Sequence, residues 1–97
     1  MSISSIKAAN IPPGSGVAGQ IGDRPVAIYN SIEGLIVLEN ICTHMGCETD
    51  WNPAEETWDC PCHGSRYHPD GTVLRGPAAQ ALTKLSYSIQ DGEIVLD

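Results

Sequence analysis

Two short segments, Cys42-Thr43-His44-Met45-Gly46-Cys47 and Cys60-Pro61-Cys62-His63-Gly64-Ser65-Arg66-Tyr67, hold the residues of this chain that can do metal chemistry. Each offers a thiol and an imidazole at close spacing, Cys42-x-His44 in the first and Cys60-x-x-His63 in the second. All four cysteines and two of the three histidines lie in them. Thiolates are soft ligands that suit zinc and iron–sulfur clusters, and imidazole suits zinc and iron alike. Two such segments facing one another supply four donors. Bound iron makes the site a one-electron carrier, whereas zinc makes it a structural clip.

Charge bookkeeping shows what a mixed donor set would do to an iron cluster. In a 2Fe–2S cluster two ferric ions and two sulfides leave two positive charges, which two thiolates cancel and neutral imidazoles do not change. Four thiolates leave two negative charges instead. The less negative site accepts an electron more readily, at roughly −150 to +300 mV against about −400 mV for plant-type centres. Zinc held by Cys42, Cys47, Cys60 and either Cys62 or His63 is the competing reading. Its spacings, Cys-x4-Cys and Cys-x-Cys-His, are not those of the usual zinc knuckles, and His44 is then idle. Two plain disulfides leave both histidines unexplained.

The elements that must position these donors read as short strands. Gly16–Ile21 is a weak strand closed by Gly22-Asp23-Arg24-Pro25, and Val26–Tyr29 follows. After a turn across Ser31 to Gly34 comes Leu35–Glu39. Leu85, Tyr87 and Ile89 alternate with polar residues, Asp91-Gly92 makes a turn, and Ile94-Val95-Leu96 returns. Asp-Gly between two such runs is a strong hairpin signal. Two further hairpins are predicted between the outer strands, one from Trp51 to Trp58 with Asn52-Pro53 at its turn, one around Pro69-Asp70-Gly71. Trp51 and Trp58 are expected to pack together across the first. No helix is predicted beyond a single turn over Ala78–Leu82. The fold class is all-β: one domain over residues 1–97, an antiparallel sandwich or barrel of short strands with a small cluster-binding insert at 42–78.

Five Lys and Arg stand against twelve Asp and Glu, a net charge of −7, which argues against nucleic acid and anionic membranes as partners. No signal peptide and no membrane segment are read in the chain. The expectation is a soluble, cytoplasmic protein.

The two metal segments resemble the cluster-binding boxes of the Rieske 2Fe–2S family at nearly every position. The resemblance implies that Cys42 and Cys60 bind one iron, and that His44 and His63 bind the other through Nδ1. It implies a disulfide between Cys47 and Cys62, as in the disulfide-containing branch of the family. Closing those sixteen residues contributes roughly 3 kcal/mol by chain entropy. Dioxygenase-type Rieske ferredoxins lack this pair. Ser65 and Tyr67 fall where relatives of higher potential donate hydrogen bonds, Ser65 to a bridging sulfide and Tyr67 to the Cys42 sulfur. Gly76-Pro77-Ala78 matches the start of the family's proline loop, but Ala79 stands where quinol-oxidising members carry a second proline. His68 reads as an exposed turn residue.

The resemblance implies a one-electron relay with a Rieske 2Fe–2S cluster and no catalytic residues of its own. Reduction raises the pKa of a ligand imidazole, so the midpoint should fall in alkaline solution by about 59 mV per pH unit for each coupled proton. The run from Trp51 to Tyr67 most resembles Rieske domains at the C-terminus of flavin-dependent oxidoreductases, which implies a flavoprotein partner. The soluble head of a quinol–cytochrome bc or b6f oxidoreductase and a freestanding ferredoxin are the other contexts. A zinc-stabilised β module that only binds a partner is the reading from a different class.

Overall fold

The computed structural model describes residues 5–42, 46–62 and 64–97. Their regular structure is nine strands and one 3-10 turn, Ala8–Asn10, so the all-β expectation is met. Strands β1 (Gly16–Ile21), β2 (Arg24–Ser31) and β3 (Gly34–Glu39) form an antiparallel meander in that order. Strands β4 (Asp50–Asn52), β5 (Thr57–Asp59), β6 (Arg66–Tyr67) and β7 (Val73–Arg75) form a second antiparallel sheet. The hairpin β8 (Tyr87–Gln90) and β9 (Glu93–Leu96) turns at Asp91-Gly92. The N-terminal segment joins its edge, with the Ile94 N–H donating to the Ile6 carbonyl at 3.0 Å.

Successive side chains of a strand point to opposite faces, so the middle of the first sheet is apolar on both. Val26, Ile28 and Val37 pack with Ile11 and Ile94 on one side. Ala27 and Leu38 pack on the other with Trp58, Tyr67, Cys42 and Cys60. That double burial explains the unbroken apolar run Val26-Ala27-Ile28, all three residues fully inaccessible. The second core cluster therefore contains the two cysteines themselves. Trp51 and Trp58 pack across their hairpin with ring centroids 4.8 Å apart, and Tyr29 of β2 lies 5.5 Å from Trp51. Gly16 is required there: a Cβ on it would come within 2.5 Å of the Trp51 ring.

The helical turn over Ala78–Leu82 does not form. The Ala78 N–H donates to Ser65 Oγ (3.0 Å) and the Leu82 N–H to the Gly71 carbonyl (2.8 Å), so distant acceptors have replaced local ones. Beyond it, Leu85 N–H donates to the Val37 carbonyl, which lays the segment along the edge of β3.

The β6–β7 turn is held by Asp70. Its Oδ1 accepts both the Thr72 hydroxyl (2.7 Å) and the Thr72 N–H (3.0 Å), and these bonds hold the carboxyl below its ordinary value of 3.8. A depressed carboxyl stabilises the fold above its unfolded-state pKa, and that contribution disappears as pH falls through the folded-state value. Because Asp70 is solvent-exposed, Asp70→Ala should cost less than about 1 kcal/mol at neutral pH. In urea titrations taken down through 3.8, the gap between mutant and parent should close. A gap that persists in acid would assign the cost to something other than the carboxylate.

Candidate metal centre

The two metal segments are closed by the same pair of backbone bonds. Cys42 N–H donates to the Cys47 carbonyl (2.6 Å) and Gly46 N–H to the Cys42 carbonyl (2.8 Å). In the second segment Cys60 N–H donates to the Ser65 carbonyl (2.8 Å) and Gly64 N–H to the Cys60 carbonyl (3.2 Å). Each is a six-residue turn with cysteine at its first position and glycine at its fifth. Gly46 (φ +78°) and Gly64 (φ +80°) both take the left-handed conformation that glycine adopts without a Cβ penalty. Sequence reasoning attended to the Cys and His spacings and missed this match, although Cys-x-x-x-Gly occurs in both segments and signals it.

Cys42 and Cys60, at the first positions, stand outside the disulfide and are 1% and 2% exposed. Cys47, the sixth residue of the first turn, is disulfide-bonded to Cys62, the third of the second. The bond joins the turns to one another, as the resemblance implied. It also overturns the zinc set. The sulfurs of Cys47, Cys60 and Cys62 lie within 4.8 Å of one another, but a disulfide has no thiolate to offer a metal. His44 and His63 lie outside the described residues.

Tyr67 is fully buried, and its hydroxyl donates to Cys42 Sγ at 3.3 Å. Ser65 is fully buried too, and its oxygen accepts the Ala78 N–H, which ties the chain after the cis Gly76–Pro77 bond to the second turn. That bond leaves the Ser65 hydroxyl proton with no acceptor among the described residues. At the neck of the second turn Arg66 meets Asp59, Nε to Oδ1 at 3.3 Å, and Glu55 at 2.5 Å. The hydrogen bond that Arg66 donates to Glu55, then the Asp59 charge, raises the Arg66 pKa. Asp59 also accepts from Asn52 Nδ2 (3.0 Å) and the Thr57 hydroxyl (2.6 Å). Sequence reasoning passed over this group because each member reads alone as a surface or turn residue.

Two thiols outside the disulfide, buried in one apolar cluster and at the heads of two linked turns, suit the soft iron of a 2Fe–2S cluster. A phenol already donating to one of those sulfurs suits it further, because cluster thiolates accept such bonds. Site and fold together define a small iron–sulfur electron-transfer domain.

The chain belongs to the Rieske [2Fe–2S] domain family, whose model matches residues 3–86. Its cofactor is the Rieske-type 2Fe–2S cluster and its function is electron transfer through it. It is 44% identical over 77 residues to YhfW of Bacillus subtilis, named for a Rieske 2Fe–2S iron–sulfur protein. That match covers 78% of this chain and 15% of the relative. It is 37% identical over 89 residues to the cytochrome b6-f complex iron–sulfur subunit of Chlorobaculum tepidum, covering 92% of this chain and 49% of that one. The chain therefore spans less than half the length of either relative. The plasma membrane Rieske protein PetC3 from Synechocystis shares the fold, with a TM-score of 0.76 at 24% identity and coverage of 97% and 98% of the two chains.

Proposed function

We propose that Cys42 and Cys60 bind one iron and His44 and His63 the other, and that the chain works as the Rieske module, residues 1–97 with its insert at 42–78, of a cytoplasmic flavin-dependent oxidoreductase. The ligand assignment rests on one observation above all, the two buried cysteines that the disulfide leaves as thiols at the first positions of matched turns. When bound, the cluster supplies a single-electron site. The chain's own residues do the rest. The Cys47–Cys62 bond keeps the two turns in register, and Trp58, Leu38 and Leu82 exclude water from the cysteines. Tyr67 donates to the Cys42 sulfur. Ser65, its oxygen engaged by Ala78, retains its proton to donate to a sulfide.

Such donors stabilise the more negative, reduced state and raise the potential. Tyr67→Phe and Ser65→Ala should each lower the midpoint, by roughly 40 mV for a net bond of about 1 kcal/mol. Potentiometric titration of the two variants checks this, and unchanged midpoints in both would refute the assigned donor roles. The ligand set itself is tested by EPR of the reduced protein and by titration at neutral and alkaline pH. A low average g with a midpoint that falls in alkali supports two imidazole ligands. A midpoint flat with pH contradicts them.

That the chain is one module of a longer protein is supported by the first relative, in which the matching segment is only 15% of the length; the flavoprotein context rests on the resemblance of Trp51 to Tyr67. Likeness to the cytochrome b6-f subunit favours a second reading, the head of a quinol-oxidising complex. No helix among the described residues is long and apolar enough to cross a membrane. Sequencing the reading frame around this segment decides between the two. A glycine-rich dinucleotide-binding motif upstream supports the flavoprotein, and an upstream apolar helix supports the quinol complex.

A further inference from the structure

The two turns are closed at their bases in different ways. Under the second, Asp59 and Arg66 are cross-strand neighbours in β5 and β6, directly before Cys60 and directly after Ser65. Under the first, the flanking residues Ile41 and Glu48 belong to no strand. There the closure is made by side chains. Asn40 stands two residues before Cys42, and Thr49 two residues after Cys47. Asn40 Oδ1 accepts the Thr49 N–H (2.9 Å) and the Thr49 hydroxyl (2.6 Å), and Asn40 Nδ2 donates to the Thr49 carbonyl (3.0 Å). Asn40 is anchored in turn to β2, since its N–H donates to the Pro25 carbonyl at 3.0 Å.

Both side chains are 1% exposed. Burying an amide and a hydroxyl is unfavourable unless their bonds are made, and an apolar pair of similar size would avoid that cost. What the polar pair adds is direction. Its three bonds hold Thr49 to Asn40 as a rung of β-ladder would, and Cys42 is only two residues from the anchor. The other partner of the Tyr67–Cys42 bond is placed independently, because Tyr67 lies in β6, paired with Trp58 of β5. Asn40 therefore governs one end of that bond and the four-stranded sheet the other.

We propose that Asn40, through Thr49, is a positioning residue for electron transfer, holding the Cys42 sulfur in line with the Tyr67 hydroxyl; this rests on the ligand and donor assignment above. The strength of a hydrogen bond falls steeply with misalignment, so a loosened base would weaken a donor that it does not touch.

The test uses the iron-loaded protein and four substitutions: Asn40→Ala, Thr49→Val, Thr49→Ser and Tyr67→Phe. Asn40→Ala should lower the midpoint and alter the EPR line shape. Tyr67→Phe should then shift the midpoint less in the Asn40→Ala background than in the parent, the signature of two residues acting through one bond. Thr49→Val should act in the same direction and Thr49→Ser should restore the parent midpoint, a comparison that stands even if Asn40→Ala does not load iron. A lower melting temperature with unchanged midpoint and EPR would overturn the proposal and leave the pair a purely structural clasp. Strictly additive shifts would overturn it as well. If Tyr67→Phe is silent in the parent, the donor assignment fails instead, and the two failures are thereby told apart.

Discussion

Replacing Cys47 and Cys62 together by serine removes about 3 kcal/mol of stability and speeds the loss of iron to a chelator. The first part follows from the unfolded state: the bond joins residues 15 apart in sequence, and a loop of that size restricts the unfolded chain by about this much. The second follows from the folded one. Each turn closes on its own backbone bonds, but none of these bonds runs from one turn to the other. The disulfide is the covalent tie between them, from the sixth residue of one to the third of the other. Urea unfolding and the rate of iron transfer to a coloured chelator measure the two effects separately. Cys62 is exposed, so a thiol reductant should reproduce both in the unmutated protein. Iron retention equal to the parent would mean that core packing alone keeps the turns in register.

Trp58→Ala should be more damaging still, at about 3–5 kcal/mol from the lost side chain and its cavity. Trp58 is fully buried in the cluster that holds Cys42, Cys60 and Tyr67, and it pairs with Tyr67 across β5 and β6. Its Nε1 donates to the Pro69 carbonyl at 3.2 Å, an acceptor left without this donor in the variant. A domain of this size has roughly 5–15 kcal/mol to lose, so the variant should be marginal or unfolded before iron is added. Trp58→Phe keeps most of the apolar volume and should fold with a smaller deficit. Chemical denaturation of both checks the order, and a Trp58→Ala cost under about 1 kcal/mol would place the stability of the four-stranded sheet elsewhere.

The strands were legible because their physics is local. Leu85, Tyr87 and Ile89 alternate, and Asp91-Gly92 suits a two-residue turn, so β8 and β9 form where expected. The family and its cluster were legible because so few residue types bind iron. The Cys47–Cys62 bond was legible only through family resemblance, since four cysteines allow several pairings and nothing local selects one. His44 and His63 remain assigned from sequence and resemblance. The error at Ala78–Leu82 came from reading helix propensity where the available acceptors, Ser65 Oγ and the Gly71 carbonyl, lie far away in sequence. Asn40 and Thr49 escaped notice for a related reason. Asn and Thr read as turn residues, and only the fold brings them together in the interior.

The junction at Gly16 has an optical consequence. Tyr29 belongs to the meander and Trp51 and Trp58 to the four-stranded sheet; the missing Cβ leaves room for the two indoles, which are inclined at 59° to one another, with Tyr29 at 43° to Trp51. Indole transition dipoles this close and this oblique couple as excitons, producing paired circular-dichroism bands of opposite sign. The protein thus carries a chiral reporter at the seam between its two sheets, read most simply before iron is loaded, because sulfur-to-iron charge-transfer bands extend from the visible into the ultraviolet.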